Sequence, residues 1–355
     1  MCKVLSLCLV LLSFSLSACF FASQDPDYAG PRLRPASLDE YYAKGNSYIS
    51  FREEIFDQEE DFAIKRIYLQ TNIGPIVIDY FKRPEESKEL ILVFPVLGGR
   101  NVFENYFAAY FAEHGFDAAV VHRDSDFKNP DNIDRIETLF RNNVIKDRIA
   151  LDFFENVYKK DQFASFGISR GAINVAMTAG VDARLKYNVL AMGGSDLVKL
   201  FSDSKERGIQ KFKRRVMAKK NFSETDFYDY LKANIKTDPK FVASYIDANN
   251  TLMFLSVFDQ SVPIKYGLRL RKAIGRPDTI FLMSGHYSSL AFTQFVKLVP
   301  PQSPICLFPF DYVETEAVAF YRRSFARGDG SVKEAIVRVL GLPSRLMYGV
   351  ISLFK

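Results

Sequence analysis

A serine between two glycines is the strongest chemical signal in the sequence. Residues 167–171 read GISRG, which matches the pattern G-x-S-x-G. An apolar run at 163–166 predicts a strand before it, and small residues at 172–179 predict a helix after it. On such a tight turn the hydroxyl projects from the sheet edge, and the glycines leave room for the adjacent strand and helix. Ser169 is therefore the candidate nucleophile for acyl transfer.

A serine hydroxyl needs a base, which is usually a histidine that a carboxylate holds in one tautomer. The sequence has three histidines. His114 ends a predicted helix, where a capping role accounts for it. His122 follows a predicted strand but precedes Ser169 along the chain. His286 lies on the loop after the predicted strand 279–283 and is the candidate base, although a loop histidine without a catalytic role would also fit.

The carboxylate partner is expected on the loop after the preceding strand. Asp259 follows the predicted strand 251–257, and the chain between it and His286 holds one helix and one strand, as a βαβ crossover requires. An aspartate that only caps the next helix would also fit this position. Asp196, after the predicted strand 187–192, is the alternative. We favour Asp259.

The negative charge that develops on the acyl oxygen requires two backbone N–H donors. The first is expected from Arg170, directly after the nucleophile. The second is expected from residues 95–99, which read PVLGG, because glycines permit close backbone approach. Val96, Leu97 and Gly98 are the candidates within this loop, and we choose Leu97.

Strand-like and helix-like patterns alternate from residue 62 onward. Residues 64–70 and 76–81 predict a hairpin. The alternation that follows predicts βαβ units, hence an α/β fold with an open, mostly parallel sheet and helices on both faces. The other predicted strands are 89–94, 117–121, 163–166, 187–192, 251–257 and 279–283, and the predicted helices are 102–114, 133–159, 172–179 and 264–274.

Residues 195–250 interrupt this alternation. They contain no strand-like run, and their Phe, Tyr, Lys and Arg residues recur at helical spacing. We predict a helical cap insertion over the carboxyl edge of the sheet, whose aromatic residues suggest an apolar substrate portion. Its basic segment 205–220 fits either a solvated helix face packed on its own domain, which we favour, or a helix on anionic lipid.

The first residues predict export. Lys3, the apolar stretch 4–16 and small residues before Cys19 form a signal-peptide layout. Residues 16–19, LSAC, resemble the lipobox of bacterial lipoproteins. That resemblance implies diacylglycerol attachment at Cys19, additional fatty acylation such as palmitate, and a place in the bacterial cell envelope, on the inner or the outer membrane. An uncleaved apolar anchor is the alternative.

Composition excludes several classes. The chain has 355 residues, of which 48% are hydrophobic and 25% charged, so it is neither disordered nor collagen-like. A net charge of +5 is too dilute over this length to indicate nucleic acid. Nucleotide-binding glycine patterns and Cys/His clusters are missing from the sequence, so we predict no cofactor and no metal.

The order of a Gly-Gly loop, G-x-S-x-G, an aspartate and a histidine resembles the α/β-hydrolase superfamily over about residues 62–300. The resemblance implies the α/β-hydrolase fold with a cap at 195–250. Pro95-Val96 stands where many members have His-Gly. The implied roles are nucleophile Ser169, base His286, acid Asp259, and oxyanion donors Leu97 and Arg170.

The sequence thus predicts a membrane-tethered serine hydrolase that cleaves an ester in a small or lipid-like acyl substrate through an acyl-serine intermediate. Thioesters, amides and acyl transfer stay open, because fold and triad do not set the acyl donor. The alternative is a catalytically silent lipoprotein that binds or scaffolds envelope components. The predicted parts are a leader (1–18), an N-terminal tether (19–55) with a flexible segment at 23–34, the hydrolase domain (56–300) and a C-terminal helical extension (301–355).

Overall fold

The computed structural model describes residues 19–45, 47–96, 101–123, 128–293 and 311–327. The predicted leader at 1–18, the predicted oxyanion donor Leu97 and most of the predicted C-terminal extension lie outside the described residues.

The core of the molecule is one ten-stranded sheet with the order β1-β10-β9-β8-β7-β5-β6-β4-β3-β2. From β6 to β10 in this order the neighbours are parallel, whereas β1 and the β2-β3-β4 meander pair antiparallel. The strands are β1 (Cys19–Ala22), β2 (Ser50–Gln58), β3 (Ala63–Gln70), β4 (Ile76–Lys82), β5 (Glu89–Phe94), β6 (Ala118–Val121), β7 (Gln162–Ile168), β8 (Leu185–Ala191), β9 (Thr251–Ser256) and β10 (Asp278–Leu282).

Helices cover both faces of this sheet, so the predicted fold class is confirmed. None of the described helices is long and apolar enough to cross a membrane. The helices are α1 (Ala36–Tyr41), α2 (Val102–Glu113), α3 (Ile136–Val157), α4 (Arg170–Val181), α5 (Leu197–Asp203), α6 (Arg207–Lys220), α7 (Glu224–Asn234), α8 (Pro239–Val242), α9 (Ile264–Ile274) and α10 (Tyr312–Ser324).

Strand β5 shows why the central strands read as continuous apolar runs. Successive side chains of a strand point to opposite faces. Leu90 and Leu92 join the core under α3, α4 and the insertion, whereas Ile91 and Val93 join the core under α2 and α10. Both faces of the strand are therefore buried, which is typical of parallel sheets covered on each side.

Within the predicted N-terminal tether (19–55), the structure differs from the flexible segment predicted at 23–34. Residues 19–22 form β1 on the open edge of β10. The chain then stays attached to the domain, because the N–H of Asp25 donates to the carbonyl of Arg276 and the N–H of Arg32 donates to that of Ser244. The Arg34 guanidinium binds the carbonyl of Gly180 at 3.0 Å. These backbone partners hold the segment against the domain.

The C-terminal boundary at residue 300 is also corrected, because α10 belongs to the core. Its buried residues include Val313, Ala317 and Val318, which pack on the face of the sheet covered by α2. The hydroxyl of Tyr321 donates a 2.8 Å hydrogen bond to the carbonyl of Ser165 in β7. The helix is thus part of the domain, not an appendage.

The insertion is helical as predicted, with α5 to α8 and no strand among residues 195–250. Its basic helix α6 buries Phe212 and Val216. At its end, Lys220 pairs with Asp134 at 2.7 Å. These contacts agree with the interpretation of α6 as a helix packed on its own domain.

We expect Tyr321→Ala to lower the free energy of unfolding by about 3–5 kcal/mol, because it opens a cavity in a close-packed aromatic cluster. The cluster includes Phe111, Phe116 and Phe325. Urea denaturation of the variant measures the loss, with exposed Arg323→Ala on the same helix as the control. Equal stability of the two variants would contradict the place of α10 in the core.

Candidate active site

The nucleophile turn is shaped by close backbone contacts. Ser169 lies between β7 and α4 with φ 54° and ψ −119°, which is strained for a residue with a side chain. A Cβ on Gly167 would lie 2.4 Å from the carbonyl carbon of Gly171, and one on Gly171 would lie 2.3 Å from the carbonyl oxygen of Phe94. Both glycines are therefore required sterically, and the Ser169 N–H is held by the carbonyl of Ala191 at 2.7 Å.

Three predicted side chains converge at the carboxyl edge of the sheet. The Ser169 hydroxyl lies 2.9 Å from Nε2 of His286. Nδ1 of His286 lies 2.6 Å from Oδ2 of Asp259. The other oxygen of Asp259 accepts the N–H groups of Ser261 and Val262, each at 2.8 Å. The carboxylate therefore both caps the following turn and orients the imidazole.

The alternative carboxylate, Asp196, does not approach His286. It directly precedes α5 and forms ion pairs with Arg269 at 2.9 Å and with Lys240 at 3.4 Å. The other two histidines also have structural partners. Their partners are the carbonyl of Tyr110 for His114, at 2.7 Å, and the carboxylate of Asp79 for His122, at 2.8 Å.

Helix α4 begins at Arg170, so the N–H of that residue lies at a helix N terminus next to the nucleophile. The Val96 N–H donates a 2.6 Å hydrogen bond to Oε1 of Glu104. The N–H of Val96, one of the three candidates for the second oxyanion donor, is therefore already engaged in a hydrogen bond. The other two, Leu97 and Gly98, lie outside the described residues.

The sequence analysis did not identify Glu104 as a site residue, because it is simply one acidic residue in the largely apolar helix α2. It is almost fully buried. Burial raises the pKa of Glu104 above its ordinary value, although the hydrogen bond from Val96 lowers it. The carboxyl group holds the start of the loop from which the second oxyanion donor is expected.

A cavity of about 210 Å³ opens beside Ser169 and His286. A cavity of about 10–15 Å³ already holds one water molecule, so this cavity has room for an acyl chain. Its wall is mainly apolar, and the insertion supplies much of it. The apolar residues contributed by the insertion are Leu197, Leu200, Phe201 and Ile209, which face Phe140, Ile173 and Met177 of α3 and α4.

A few polar groups also line this cavity. Burial and the nearby charge of Arg123 lower the pKa of Arg170 to about 9, which leaves the side chain charged at neutral pH. Burial lowers the pKa of Lys128 as well. The side-chain amide nitrogen of Asn174, one turn into α4, is buried without a hydrogen-bond partner among the described residues. The sequence offered no signal for Lys128 or Asn174 beyond their positions near predicted strand and helix ends.

No group of three or more metal-ligating side chains occurs in the part of the chain that the structure describes. Ser169, His286 and Asp259 can act as nucleophile, base and orienting acid without a metal, because each is within hydrogen-bonding distance of the next.

Comparison by sequence finds no matching family model and no curated relative. Comparison of structures finds similarity to acetyl xylan esterase 1 from Thermoanaerobacterium sp. JW/SL YS485, with a TM-score of 0.54 and 18% identity over 77% of this chain and 97% of that chain. Acetyl xylan esterase from Paenibacillus sp. R4 gives a TM-score of 0.57 and 16% identity over 78% and 98%. At these identities the likeness shows the fold.

A third similar structure is the acylaminoacyl peptidase of Pyrococcus horikoshii, with a TM-score of 0.50 and 12% identity. It covers 78% of this chain but only 44% of the peptidase chain, so the two share one domain. The three structures share the same arrangement of parallel sheet and flanking helices with this chain.

We expect the stability of Glu104→Gln, compared with that of wild type, to increase as the pH rises from about 4 to about 7. A carboxyl with a raised pKa in the folded state binds its proton more tightly there than in the unfolded chain. Its contribution to stability is therefore present below the unfolded pKa and is lost as the pH rises through the folded pKa. Urea denaturation across this range measures the difference, with exposed Glu60→Gln as the control. A difference that stays constant with pH would contradict the expectation.

Proposed function

Because the chain has the α/β-hydrolase fold, we propose that it is a serine hydrolase that cleaves ester bonds. The observation that carries the proposal is the continuous contact of Ser169, His286 and Asp259, with 2.9 Å and 2.6 Å between the interacting atoms. Nucleophile, base and orienter within hydrogen-bond reach are what activation of a serine requires. The strained turn at Ser169 is a further feature typical of such a site.

In the proposed first half-reaction, Oγ of Ser169 attacks the ester carbonyl carbon and passes its proton to Nε2 of His286. The carboxylate of Asp259 stabilises the resulting imidazolium through Nδ1. The Arg170 N–H and a second donor from the Leu97-Gly98 loop bind the oxyanion. The intermediate collapses when the C–O bond breaks and His286 gives its proton to the leaving alcohol, which produces the acyl-serine.

In the second half-reaction, His286 takes a proton from water while the water oxygen attacks the acyl carbon. The same N–H donors bind the second oxyanion. Collapse of this intermediate breaks the bond to Oγ of Ser169, returns the proton from His286 to the serine and releases the carboxylic acid. The enzyme is thereby regenerated without a cofactor.

The cavity favours a substrate with an apolar acyl or alcohol part. Its walls from the insertion are mainly aliphatic and aromatic, and burying such a group contributes about 25 cal/mol per Å² of apolar area. The unpartnered amide nitrogen of Asn174 fits a substrate oxygen near the reacting carbonyl. A small or lipid-like ester satisfies both features. The similar folds include two acetyl xylan esterases and one acylaminoacyl peptidase, so they are compatible with a hydrolase that acts on esters or amides. We propose the ester.

We propose further that the enzyme is held at a membrane of the bacterial cell envelope. The sequence LSAC at 16–19 supports lipidation at Cys19 after removal of residues 1–18. If that leader is instead retained, its apolar stretch 4–16 anchors the same point of the chain.

We expect Ser169→Ala to lower kcat/KM for short-chain p-nitrophenyl esters by about ten thousandfold or more, because no other group replaces the nucleophile. Asp259→Asn removes the charge that orients His286 and should cost about ten thousandfold in kcat. Asp196→Asn is the matched control, because among the described residues this aspartate pairs with the cations Lys199, Lys240 and Arg269 and not with His286. The activity of this variant should equal that of wild type. Unchanged hydrolysis in Ser169→Ala would refute the proposal.

A further inference from the structure

We infer that the catalytic edge of the sheet faces the membrane, so that the substrate is an acyl ester of a membrane lipid. The inference rests on the proposed function and adds an orientation and a substrate source to it. Two independent observations carry it: the position of Cys19 in the sheet and the exposed apolar side chains beside the catalytic residues.

The first observation is the register of β1. Strand β10 runs parallel to β9 and ends at Leu282, at the same edge as Ser169. Because β1 is antiparallel to β10, Cys19 lies opposite Leu282, and Ala22 lies opposite Thr279. The chain therefore enters the domain at the catalytic edge and runs away from it.

The distance from this entry point to the catalytic histidine is short. His286 lies four positions after Leu282, which limits their Cα–Cα distance to about 14 Å. Paired residues on adjacent strands add about 5 Å more. The anchor is either a lipid on Cys19 or the apolar stretch 4–16. In both cases it joins the domain at Cys19, which lies within the sum of these two distances from His286.

The second observation is a cluster of exposed apolar side chains, the edge cluster, formed by Phe258, Met283 and Tyr287. These side chains are 60%, 37% and 65% exposed. Phe258 precedes Asp259 directly, and Tyr287 follows His286 directly. Tyr287 also lines the catalytic cavity, so the edge cluster adjoins the cavity at this residue.

The loops that carry the edge cluster are fixed to each other. The N–H of Phe258 donates to the carbonyl of Ser284 at 3.0 Å, and that of Val257 donates to the carbonyl of Leu282 at 2.9 Å. Single exposed apolar residues need no explanation, but a cluster of this kind is typical of an interaction surface. Large apolar side chains beside a membrane anchor fit the interfacial region of a bilayer.

The bilayer is the occupant that explains both observations together. An anchor at Cys19 holds the edge cluster against the lipid surface, and Tyr287 of this cluster lines the apolar cavity. An acyl ester can then pass from the bilayer to Ser169 with little exposure to water. The apolar wall that the insertion gives the cavity matches such a substrate.

The sequence contains no tryptophan, so one introduced tryptophan reports its own surroundings. We would replace Phe258 with Trp in the full chain and reconstitute the protein into phosphatidylethanolamine–phosphatidylglycerol vesicles containing phospholipid brominated in the upper acyl chain. The matched control is Phe241→Trp in α8, because Phe241 is 52% exposed. Phe241 lies next to Val242, which contacts Gly180 at the far end of α4, about 16 Å along that helix from Ser169.

We expect brominated lipid to quench the tryptophan emission of Phe258→Trp at least about twofold more strongly than that of Phe241→Trp. The reason is that only the indole at position 258 reaches the interface. Equal quenching of the two variants, in protein that floats with the vesicles, overturns the orientation. Protein that does not float overturns the membrane attachment as well. Hydrolysis of a soluble p-nitrophenyl ester by the same preparations tests the proposed function separately, because it needs Ser169 but no bilayer.

Discussion

The site depends on a steric constraint, the contact between the end of β5 and the start of α4. The carbonyl oxygen of Phe94 occupies the space that a side chain on Gly171 would need. This contact fixes the turn that holds Ser169 at a positive φ, and it also fixes where the chain leaves β5 toward Val96. Ser169 and the start of the loop proposed to supply the second oxyanion donor thus follow two neighbouring strands, β7 and β5. A side chain at Gly171 would push the end of β5 away from the start of α4, and it would displace both Ser169 and Val96.

Around this turn, buried polar groups are arranged so that each acts on the backbone or on the next catalytic group. Asp259 binds two N–H groups with one oxygen and the imidazole of His286 with the other, so its position is determined from two sides. Glu104 binds the N–H of Val96, and burial raises its pKa. The insertion lines the cavity beside Ser169 and His286 with apolar side chains, and a low dielectric there would strengthen the effect of nearby N–H groups on the proposed oxyanion.

Much of this arrangement could be predicted from the sequence, because its signals are local. Strand β5 is a continuous apolar run, and Ser169 lies between glycines at the junction of a strand and a helix. The pairing of Asp259 with His286 could be predicted because the chain between them holds one helix and one strand. Strand β2 was missed because its charged residues, three of them consecutive at 52–54, interrupt any apolar alternation, and every residue of the strand is exposed. Strand β1 was missed, and the tether wrongly predicted, because its partner β10 is more than two hundred residues away. Glu104 and Asn174 were missed because only the folded chain places them at the site.

The most direct test of the central claim is covalent labelling of the full chain with a fluorophosphonate, followed by mass spectrometry of the peptide that contains Ser169. We expect one phosphonyl group on Ser169 in wild type, and its loss in His286→Ala, because the serine hydroxyl is then no longer activated. Label on a different residue, or no label on folded wild-type protein, would contradict the claim that Ser169 is an activated nucleophile.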